Sequence, residues 1–234
     1  MKQSAVYNNL KKIKAGKPIQ RKKGSHDSQP VTRSNRLEWC KKYTGMNWEN
    51  VFFTNECYVK LDRNKIKLWT SKNHQQRIPR RQKSSALMIW AGISYRGKTP
   101  VVVLKKSVDS LVYQDVLDEG LISTADCLYP DGWILQQDNA RPHTSTSTKK
   151  FFHERQINVL EWPSRSPDLN CIENLWSVLE QNLEKSIPTS LKDLESEIER
   201  GWEEISREEV YKLIESMPKR LQLCIEAQGG EIPY

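Results

Sequence analysis

The order of apolar and polar positions predicts a chain that runs from strands, through a mixed region, to helices. Helices are expected over residues 6–14 and 34–42. Short apolar runs then predict strands over residues 51–55, 57–61, 66–69, 86–94 and 99–104. The turn-forming residues 62–65 favour a hairpin between the second and third of these strands.

The second half of the pattern changes from mixed to helical. Helices are expected over residues 111–125 and 145–155, and strands over residues 133–137 and 157–160. A stripe with helical spacing follows, formed by Ile172, Leu175, Trp176, Leu179 and Leu183. Pro188 ends this helix, and further helices are expected over residues 191–205 and 208–225. We therefore expect an α/β or α+β layer domain in which helices pack on one sheet.

Composition fits a globular protein with one substantial domain. The chain has 234 residues, of which 37% are hydrophobic. No apolar run reaches the length of a membrane span, and the basic N-terminus lacks the apolar stretch of a secretory signal. The five cysteines are widely scattered and form no Cys-x-x-Cys pair, which argues against a disulfide framework or a zinc site. We expect a soluble intracellular protein without a membrane partner.

Basic residues are concentrated in two parts of the chain and favour a polyanionic partner. The net charge is +8, although residues 193–209 are rich in Glu. The basic positions considered for DNA binding are Lys11, Lys12, Lys14, Lys17, Arg21, Lys22, Lys23, Arg77, Arg80 and Arg81. Phosphates supply most of the non-specific affinity of proteins for DNA, so these segments fit DNA binding. A solvated basic tail, or a nuclear localisation signal around residues 11–23, has the same composition.

Two acidic residues and one amide occupy positions that suit a metal-dependent nuclease site. Asp138 follows the predicted strand over residues 133–137, and Glu173 lies near the start of the predicted helix. Asn55 stands at the end of the first predicted strand, where a third acid would complete the site. Each also has an ordinary structural explanation, because Asp138 could form a turn and Glu173 could cap a helix together with Asn170. Taken singly, these residues leave both interpretations open.

Five segments, in order along the chain, resemble the transposases of the Tc/mariner group, members of the DDE superfamily. They are VFFTNE (residues 51–56), QDNARPH (137–143), LEWPS (160–164), SPDLN (166–170) and IENLW (172–176). Asp138 and Glu173 are separated by 34 residues, as is typical of the Tc branch. The segment SMPKRL (216–221) is also similar to the C-terminal region of that family. The resemblance covers the chain from about residue 34 to the end.

The resemblance implies a ribonuclease-H-like mixed sheet flanked by helices, with a helical C-terminal region. It implies that positions 55, 138 and 173 are catalytic and hold two Mg²⁺ ions roughly 3.5–4 Å apart, with Mn²⁺ as a substitute. The implied reactions are cleavage at a transposon end and attack of the freed 3′-hydroxyl on target DNA. The implied partners are double-stranded DNA, from terminal repeats and target, and a second copy of the chain on that DNA. The implied location is the nucleus in a eukaryotic host, and otherwise the cytoplasm with the chromosome.

Asn55 stands where the family has Asp. The amide removes a negative charge from a metal-bridging position, so we expect cleavage to be nearly or wholly lost while the fold and DNA binding persist. Glu56 is not expected to substitute, because adjacent residues of a strand point to opposite faces. A domesticated, catalytically dead DNA-binding or regulatory protein derived from a transposase is the alternative. A ribonuclease-H-like resolvase or RNA hydrolase is a weaker one.

The N-terminal region also departs from the family. Residues 1–43 are predicted to be a basic linker with a remnant of the second helix-turn-helix DNA-binding module, and residues 44–234 to be the catalytic domain. Arg141 and His143 follow Asp138 closely, so both are candidates for contact with DNA phosphates or with a ligating carboxylate. A buried structural role for His143 is equally open.

Overall fold

The computed structural model describes residues 30–61, 85–104, 107–186 and 188–234, within which six strands form one mixed sheet. The strands are β1 (Val51–Lys60), β2 (Ala86–Ser94), β3 (Gly97–Lys98), β4 (Val102–Leu104), β5 (Ile134–Gln136) and β6 (Asn158–Val159). β1 lies between β2, which is antiparallel to it, and β5, which is parallel to it. β6 extends the sheet beyond β5, and β3 and β4 pair with the other edge of β2. The predicted helix over residues 6–14 and the predicted strand over residues 66–69 lie outside the described residues.

β1 is one continuous strand, whereas the apolar pattern predicts two strands with a break at Glu56. Pairing with β2 runs without interruption from Phe53 to Lys60. The sequence suggests a break because two polar residues interrupt the apolar run, yet both remain in the strand. The parallel pairing with β5 ends where Phe53 lies opposite Gln136. Asn55 therefore lies inside the central strand, just beyond the last pair that β1 makes with β5.

Helices cover both faces of this sheet. In chain order they are α1 (Pro30–Lys42), α2 (Ser110–Val116), α3 (Ser123–Leu128), α4 (Arg141–Thr144), α5 (Thr146–Glu154), α6 (Ile172–Leu183), α7 (Leu191–Glu203), α8 (Arg207–Glu215) and α9 (Met217–Glu226). A π-helical turn, Leu117–Ile122, joins α2 to α3, and a 3₁₀ turn, Pro167–Leu169, precedes α6. Within the described ranges, every helix is too short or too polar to cross a membrane.

The π-helical turn interrupts the single helix predicted over residues 111–125. Gly120 in this turn lies close against the sheet: a Cβ atom there would be 2.9 Å from Cγ2 of Val102 and 3.1 Å from a ring carbon of Trp90. Such distances are shorter than normal carbon contacts. Glycine is therefore required for this helical segment to pack so closely on β2 and β4.

The predicted helix over residues 208–225 is two helices, α8 and α9. α8 ends at Glu215, with Ser216 as its C-cap, and Pro218 stands in the first turn of α9, where its missing N–H leaves no hydrogen bond unmade. α8 begins with a capping box, in which Ser206 and Glu209 satisfy each other's backbone N–H groups. The C-terminal region is thus helical, as predicted, but a turn at Ser216 divides the predicted helix into two.

β1 separates two hydrophobic cores, because its successive side chains point to opposite faces. Phe53 and Val59 lie in a core formed with α1 and α6 to α9. Phe52 lies in a second core formed with α2, α3 and α5. All three side chains are buried. The sheet is therefore covered by helices on both faces, which confirms the predicted layers.

Helix α1 packs into the first core, although it lies within the predicted linker. Trp39 and Cys40 are buried. The guanidinium of Arg36 is also buried and donates hydrogen bonds of 2.8 and 2.6 Å to the carboxylate of Asp168. Residues 30–42 thus share a core with the predicted catalytic domain. The predicted remnant of a DNA-binding module lies before residue 30, outside the described residues.

Candidate active site

Thr54, within β1, is joined to the end of the parallel strand β5. Its hydroxyl donates a hydrogen bond of 2.8 Å to the main-chain oxygen of Gln136, and its backbone N–H donates one of 3.3 Å to Oε1 of the same residue. β5 ends at Gln136, and Asp138 follows two residues later. Asn55 follows Thr54 directly. Because the two strands are parallel, Asn55 and Asp138 lie at the same edge of the sheet.

The first turn of α6 brings Glu173 to this edge. Nδ2 of Asn170 donates a hydrogen bond of 3.1 Å to the main-chain oxygen of Thr54, which ties the start of the helix to β1. Oδ1 of Asn170 accepts a hydrogen bond of 3.4 Å from the backbone N–H of Ile172, the first residue of α6. Glu173 contacts a different group: its Oε1 accepts a hydrogen bond of 3.0 Å from Nδ2 of Asn55.

The structure brings together the three residues that the sequence singles out. Asn55, Asp138 and Glu173 line one cavity of about 370 Å³, which we call the catalytic cavity. Burial raises the pKa of Glu173 above its ordinary value. The hydrogen bond from Asn55 opposes this shift, and the negative charge of Asp138 adds to it. The cavity therefore disfavours negative charge on Glu173 unless a positive charge balances it.

His143 is buried behind Asp138 and holds its carboxylate. Its Nδ1 lies 2.7 Å from Oδ1 of Asp138, and its Nε2 lies 3.3 Å from Oε1 of Glu56. The ring stacks on Tyr113, with 3.9 Å between the ring centroids. Burial alone would lower the pKa of His143, but the two carboxylates outweigh it and raise the pKa to about 9. The imidazole is therefore protonated at neutral pH, and its contact is the main reason that the pKa of Asp138 is lowered.

The two candidates that follow Asp138 have different surroundings. Arg141 is exposed at the start of α4, where it is open to a partner. His143 is buried and contacts two carboxylates. Of the roles considered for it, this geometry supports contact with the carboxylate of Asp138 and not contact with a DNA phosphate. The other predicted DNA-binding residues lie outside the described part of the chain; they are Lys11, Lys12, Lys14, Lys17, Arg21, Lys22, Lys23, Arg77, Arg80 and Arg81.

The donor atoms of the catalytic cavity suit a hard divalent cation but lack one anionic ligand. Mg²⁺ favours carboxylate and water oxygens, and Asp138 and Glu173 supply two carboxylates. Asn55 supplies a neutral amide, and Glu56 contacts His143 on the other face of β1, as expected. Among the described residues, no group of three His, Cys, Asp or Glu side chains could hold a metal ion. The donors present are thus two carboxylates and one neutral amide, so a pair of cations would lack the carboxylate that position 55 would share between them.

A buried network that the sequence analysis does not single out holds the turn before Glu173. Asp168 in the 3₁₀ turn binds the guanidinium of Arg36. Arg220 of α9 donates hydrogen bonds of 2.8 Å to the main-chain oxygen of Asp168 and 2.7 Å to Oδ1 of Asn174. Asp168 belongs to the segment SPDLN, which is the only sequence signal for this network. Arg36 lies 132 residues from Asp168, so no local pattern could pair them.

The sheet and its helices have the fold of known transposase structures. The chain is similar to the Mos1 transposase in a paired-end complex with the left transposon end, with a TM-score of 0.75 and 18% identity over 97% of this chain and 70% of that chain. It is also similar to the catalytic domain of the Mos1 mariner transposase, with a TM-score of 0.71 and 16% identity over 88% of this chain and 98% of that chain. At these identities the likeness shows the fold, and it confirms the predicted ribonuclease-H-like class.

The chain belongs to the DDE superfamily endonucleases, which its residues 50–195 match. It is 28% identical over 229 residues to the Tcb1 transposase of Caenorhabditis briggsae, covering 90% of this chain and 84% of the relative. It is 32% identical over 206 residues to the Tc3 transposase of Caenorhabditis elegans, covering 85% of this chain and 62% of the relative. The chain is therefore a DDE superfamily endonuclease that is similar to transposases of the Tc group, the family that its sequence segments resemble.

Proposed function

We propose that this catalytic core performs metal-dependent transposon-end cleavage and strand transfer when position 55 is Asp, and that the Asn55 form is nearly or wholly inactive. One observation carries the proposal. Asn55 lies in the catalytic cavity with Asp138 and Glu173, and it is hydrogen-bonded to Glu173. An amide at this position keeps the geometry of the site and removes one of its negative charges.

The residues around the cavity orient the two carboxylates. Protonated His143 holds Asp138, while Asn170 fixes the start of the helix that carries Glu173. Two Mg²⁺ ions, with Mn²⁺ as a substitute, are the proposed cofactor, and when bound they would stabilise charge on the attacking and leaving oxygens. Solved structures of the Mos1 catalytic domain with Mg and with Mn support this choice of metal.

Asn55 weakens this arrangement in two ways. Its neutral amide cannot supply the anionic oxygens with which a carboxylate bridges two cations. Its Nδ2 also donates to Oε1 of Glu173, so one of the oxygens that Glu173 would offer to a cation is already engaged. Both effects reduce metal affinity, while the contacts that hold Asp138 and α6 remain in place.

The proposed partner is double-stranded DNA, both transposon terminal repeats and target. The net charge of +8 supports a polyanionic partner. The similar Mos1 transposase was solved in paired-end complexes, one of them with the left transposon end, which supports transposon DNA as the substrate and a homodimer on that DNA. We place the protein in the nucleus of a eukaryotic host, or in the cytoplasm with the chromosome otherwise.

A matched pair of proteins, Asn55 and Asn55→Asp, tests the proposal. Each is joined to N-terminal helix-turn-helix DNA-binding modules and incubated with a duplex that carries a terminal repeat, in Mg²⁺, in Mn²⁺ and in EDTA. We expect cleavage only by the Asp variant and only with metal. Adding Glu173→Gln to the Asp variant should abolish that cleavage, which shows that the cut comes from this site. If the Asp variant also stays inert, the proposed activity is wrong.

A second candidate function is a catalytically dead DNA-binding or regulatory protein derived from a transposase. Asn55 itself favours it, because the substitution removes chemistry and leaves the fold intact. This candidate predicts that both matched proteins bind DNA and that neither cuts it. Cleavage of RNA–DNA hybrids or branched DNA by the Asp variant would instead indicate a ribonuclease-H-like hydrolase or resolvase.

A further inference from the structure

Arg165 lies at the border between two neighbouring cavities. One is the catalytic cavity, and the other, which we call the second cavity, has a volume of about 730 Å³. Both are lined by Arg165, Pro167 and Glu173. The second cavity is also lined by the aromatic side chains of Trp176 and Tyr234. Arg165 therefore stands beside Glu173, where the two cavities meet.

Arg165 is the one cationic side chain on these walls. Among the described residues that line either cavity there is no other Lys or Arg, whereas four are acidic, namely Asp138, Glu173, Glu180 and Glu231. A fifth acidic residue, Asp168, has its carboxylate paired with the buried Arg36. A phosphodiester that approaches the catalytic carboxylates is itself negative and meets an acidic wall. The guanidinium of Arg165 is therefore the group at this border that can attract and hold it.

The backbone of Arg165 adopts a conformation that few residue types favour. Its φ angle is 55°, in the left-handed region, which residues other than glycine adopt uncommonly. The turn is fixed on both sides, because Pro163 and Ser166 are buried and the hydroxyl of Ser166 donates a hydrogen bond of 3.1 Å to the main-chain oxygen of Ser164. Strained backbone of this kind is concentrated at functional sites.

Residues 161–166 form the loop that contains Arg165, and this loop is attached to the segment that carries Asp138. Nδ2 of Asn139, the next residue, donates a hydrogen bond of 2.9 Å to the main-chain oxygen of Trp162. On the other side of the loop, the indole N–H of Trp39 donates one of 2.6 Å to the main-chain oxygen of Glu161. These bonds hold the turn of Arg165 in a set position relative to the catalytic carboxylates.

The guanidinium of Arg165 is available for a ligand. The residue is exposed, and in the described part of the chain its guanidinium forms no hydrogen bond or ion pair with another residue. A guanidinium offers five N–H donors in a planar fork, which matches two oxygens of a phosphate. Arginine is for this reason the preferred residue where phosphates are bound in a defined orientation.

We infer that Arg165 binds a backbone phosphate of the DNA strand that lies in the catalytic cavity, at the border with the second cavity. This inference rests on the proposed DNA substrate and adds a phosphate-binding residue of this particular chain. The contact orients the strand across Glu173, with one phosphate held by Arg165 and a neighbouring one placed before Asp138 and Glu173.

The test uses the Asn55 chain, which under the proposed function binds DNA without cutting it. Arg165→Ala, Arg165→Gln and Arg165→Lys are compared with Arg207→Ala, whose arginine is exposed at the start of α8 and lines neither cavity. Affinity for a mixed-sequence duplex is measured by fluorescence anisotropy over a range of salt concentrations. Thermal unfolding of each variant confirms that it is folded. The basic residues before position 30 are the same in all variants, so their contribution cancels.

The logarithm of the association constant falls linearly with the logarithm of the salt concentration, and loss of one phosphate contact makes this slope less steep by about 0.9. The same loss weakens binding roughly tenfold at about 0.1 M salt. We expect this change for the Ala and Gln variants, a smaller one for the Lys variant, and none of this size for Arg207→Ala. Equal slopes for Arg165→Ala, Arg207→Ala and the parent chain would overturn the inference while the proposed function stands. Failure of the parent chain itself to bind DNA would instead contradict the proposed function.

Discussion

The side-chain amide of Asn55 donates a hydrogen bond of 3.0 Å to Oε1 of Glu173, and this bond joins β1 to α6 inside the catalytic cavity. Burial already raises the pKa of Glu173, and the nearby charge of Asp138 raises it further. A carboxylate at position 55 could not donate this bond and would add another negative charge beside Glu173. The amide therefore stabilises the metal-free site relative to the same site with Asp.

Asn55→Asp should destabilise the chain when no divalent cation is present. The substitution removes a hydrogen bond to a charged group and places two carboxylates together, so we expect a loss of about 1–3 kcal/mol in the free energy of unfolding. Urea denaturation in EDTA measures this. Addition of Mg²⁺ should recover the loss in the Asp variant and change the Asn55 chain much less, because a ligand that binds the folded state stabilises it.

Asn47→Asp is the control for this prediction. Asn47 is exposed, and its Oδ1 accepts a hydrogen bond of 3.0 Å from the backbone N–H of Glu49, which an Asp side chain can also accept. The same chemical change there should leave stability and its response to Mg²⁺ almost unaltered. If Asn55→Asp behaves like Asn47→Asp in EDTA, the proposed repulsion with Glu173 is absent.

His143 should make stability depend on pH in the alkaline range. Its pKa is about 9 in the folded protein, above the ordinary value of 6.5, so the folded state binds the proton more tightly than the unfolded state. The stabilisation is complete below about pH 6.5 and is lost as the pH rises through about 9, with a total change of about 3 kcal/mol. Denaturation in EDTA at several pH values measures it.

His143→Gln should flatten this part of the pH profile, because the titrating group between Asp138 and Glu56 is gone. His153, which is exposed on α5, provides the control, and His153→Gln should keep the slope of the parent chain. Parallel profiles for the parent chain and His143→Gln would show that another group is responsible.

Arg36→Met should be strongly destabilising. Arg36 and Asp168 are both buried, and removing one partner of a buried pair leaves the other charge without compensation, at a cost of about 3–5 kcal/mol. Lys212→Met is the matched control, because Lys212 pairs with Glu208 on the exposed side of α8, where solvent screens the charges and such pairs contribute little to stability. Similar losses for the two variants in urea denaturation would mean that the Arg36 pair is not sealed from solvent.

The parts of the fold that local patterns determine were predictable from the sequence. The stripe from Ile172 to Leu183 has helical spacing, and the structure has α6 at those residues, with Trp176 and Leu179 buried as expected. The division of β1 into two strands was wrong, because pairing with β2 along the whole strand outweighs the two polar residues in its middle. Tertiary pairing of that kind leaves no trace in a local pattern.

The candidate site also has a part that the sequence predicts and a part that it does not. Asn55, Asp138 and Glu173 could be selected from the sequence because they stand in recognisable segments. The contacts that orient them could not, since the bond from Asn170 to Thr54 spans 116 residues and the pair of His143 with Glu56 joins β1 to α4. Such contacts depend on how the strands and helices meet, which only the folded structure determines.

Asn170 should be the residue that fixes the start of α6. Asn170→Ala removes its hydrogen bonds with Thr54 and Ile172, and a buried position of this kind should cost about 1–3 kcal/mol. In the Asn55→Asp background it should also reduce the stabilisation by Mg²⁺, because Glu173 is then less firmly placed. Asn158→Ala, on the exposed edge strand β6, should leave that stabilisation unchanged. A full response to Mg²⁺ in the Asn170 variant would show that Glu173 is positioned by the rest of α6 alone.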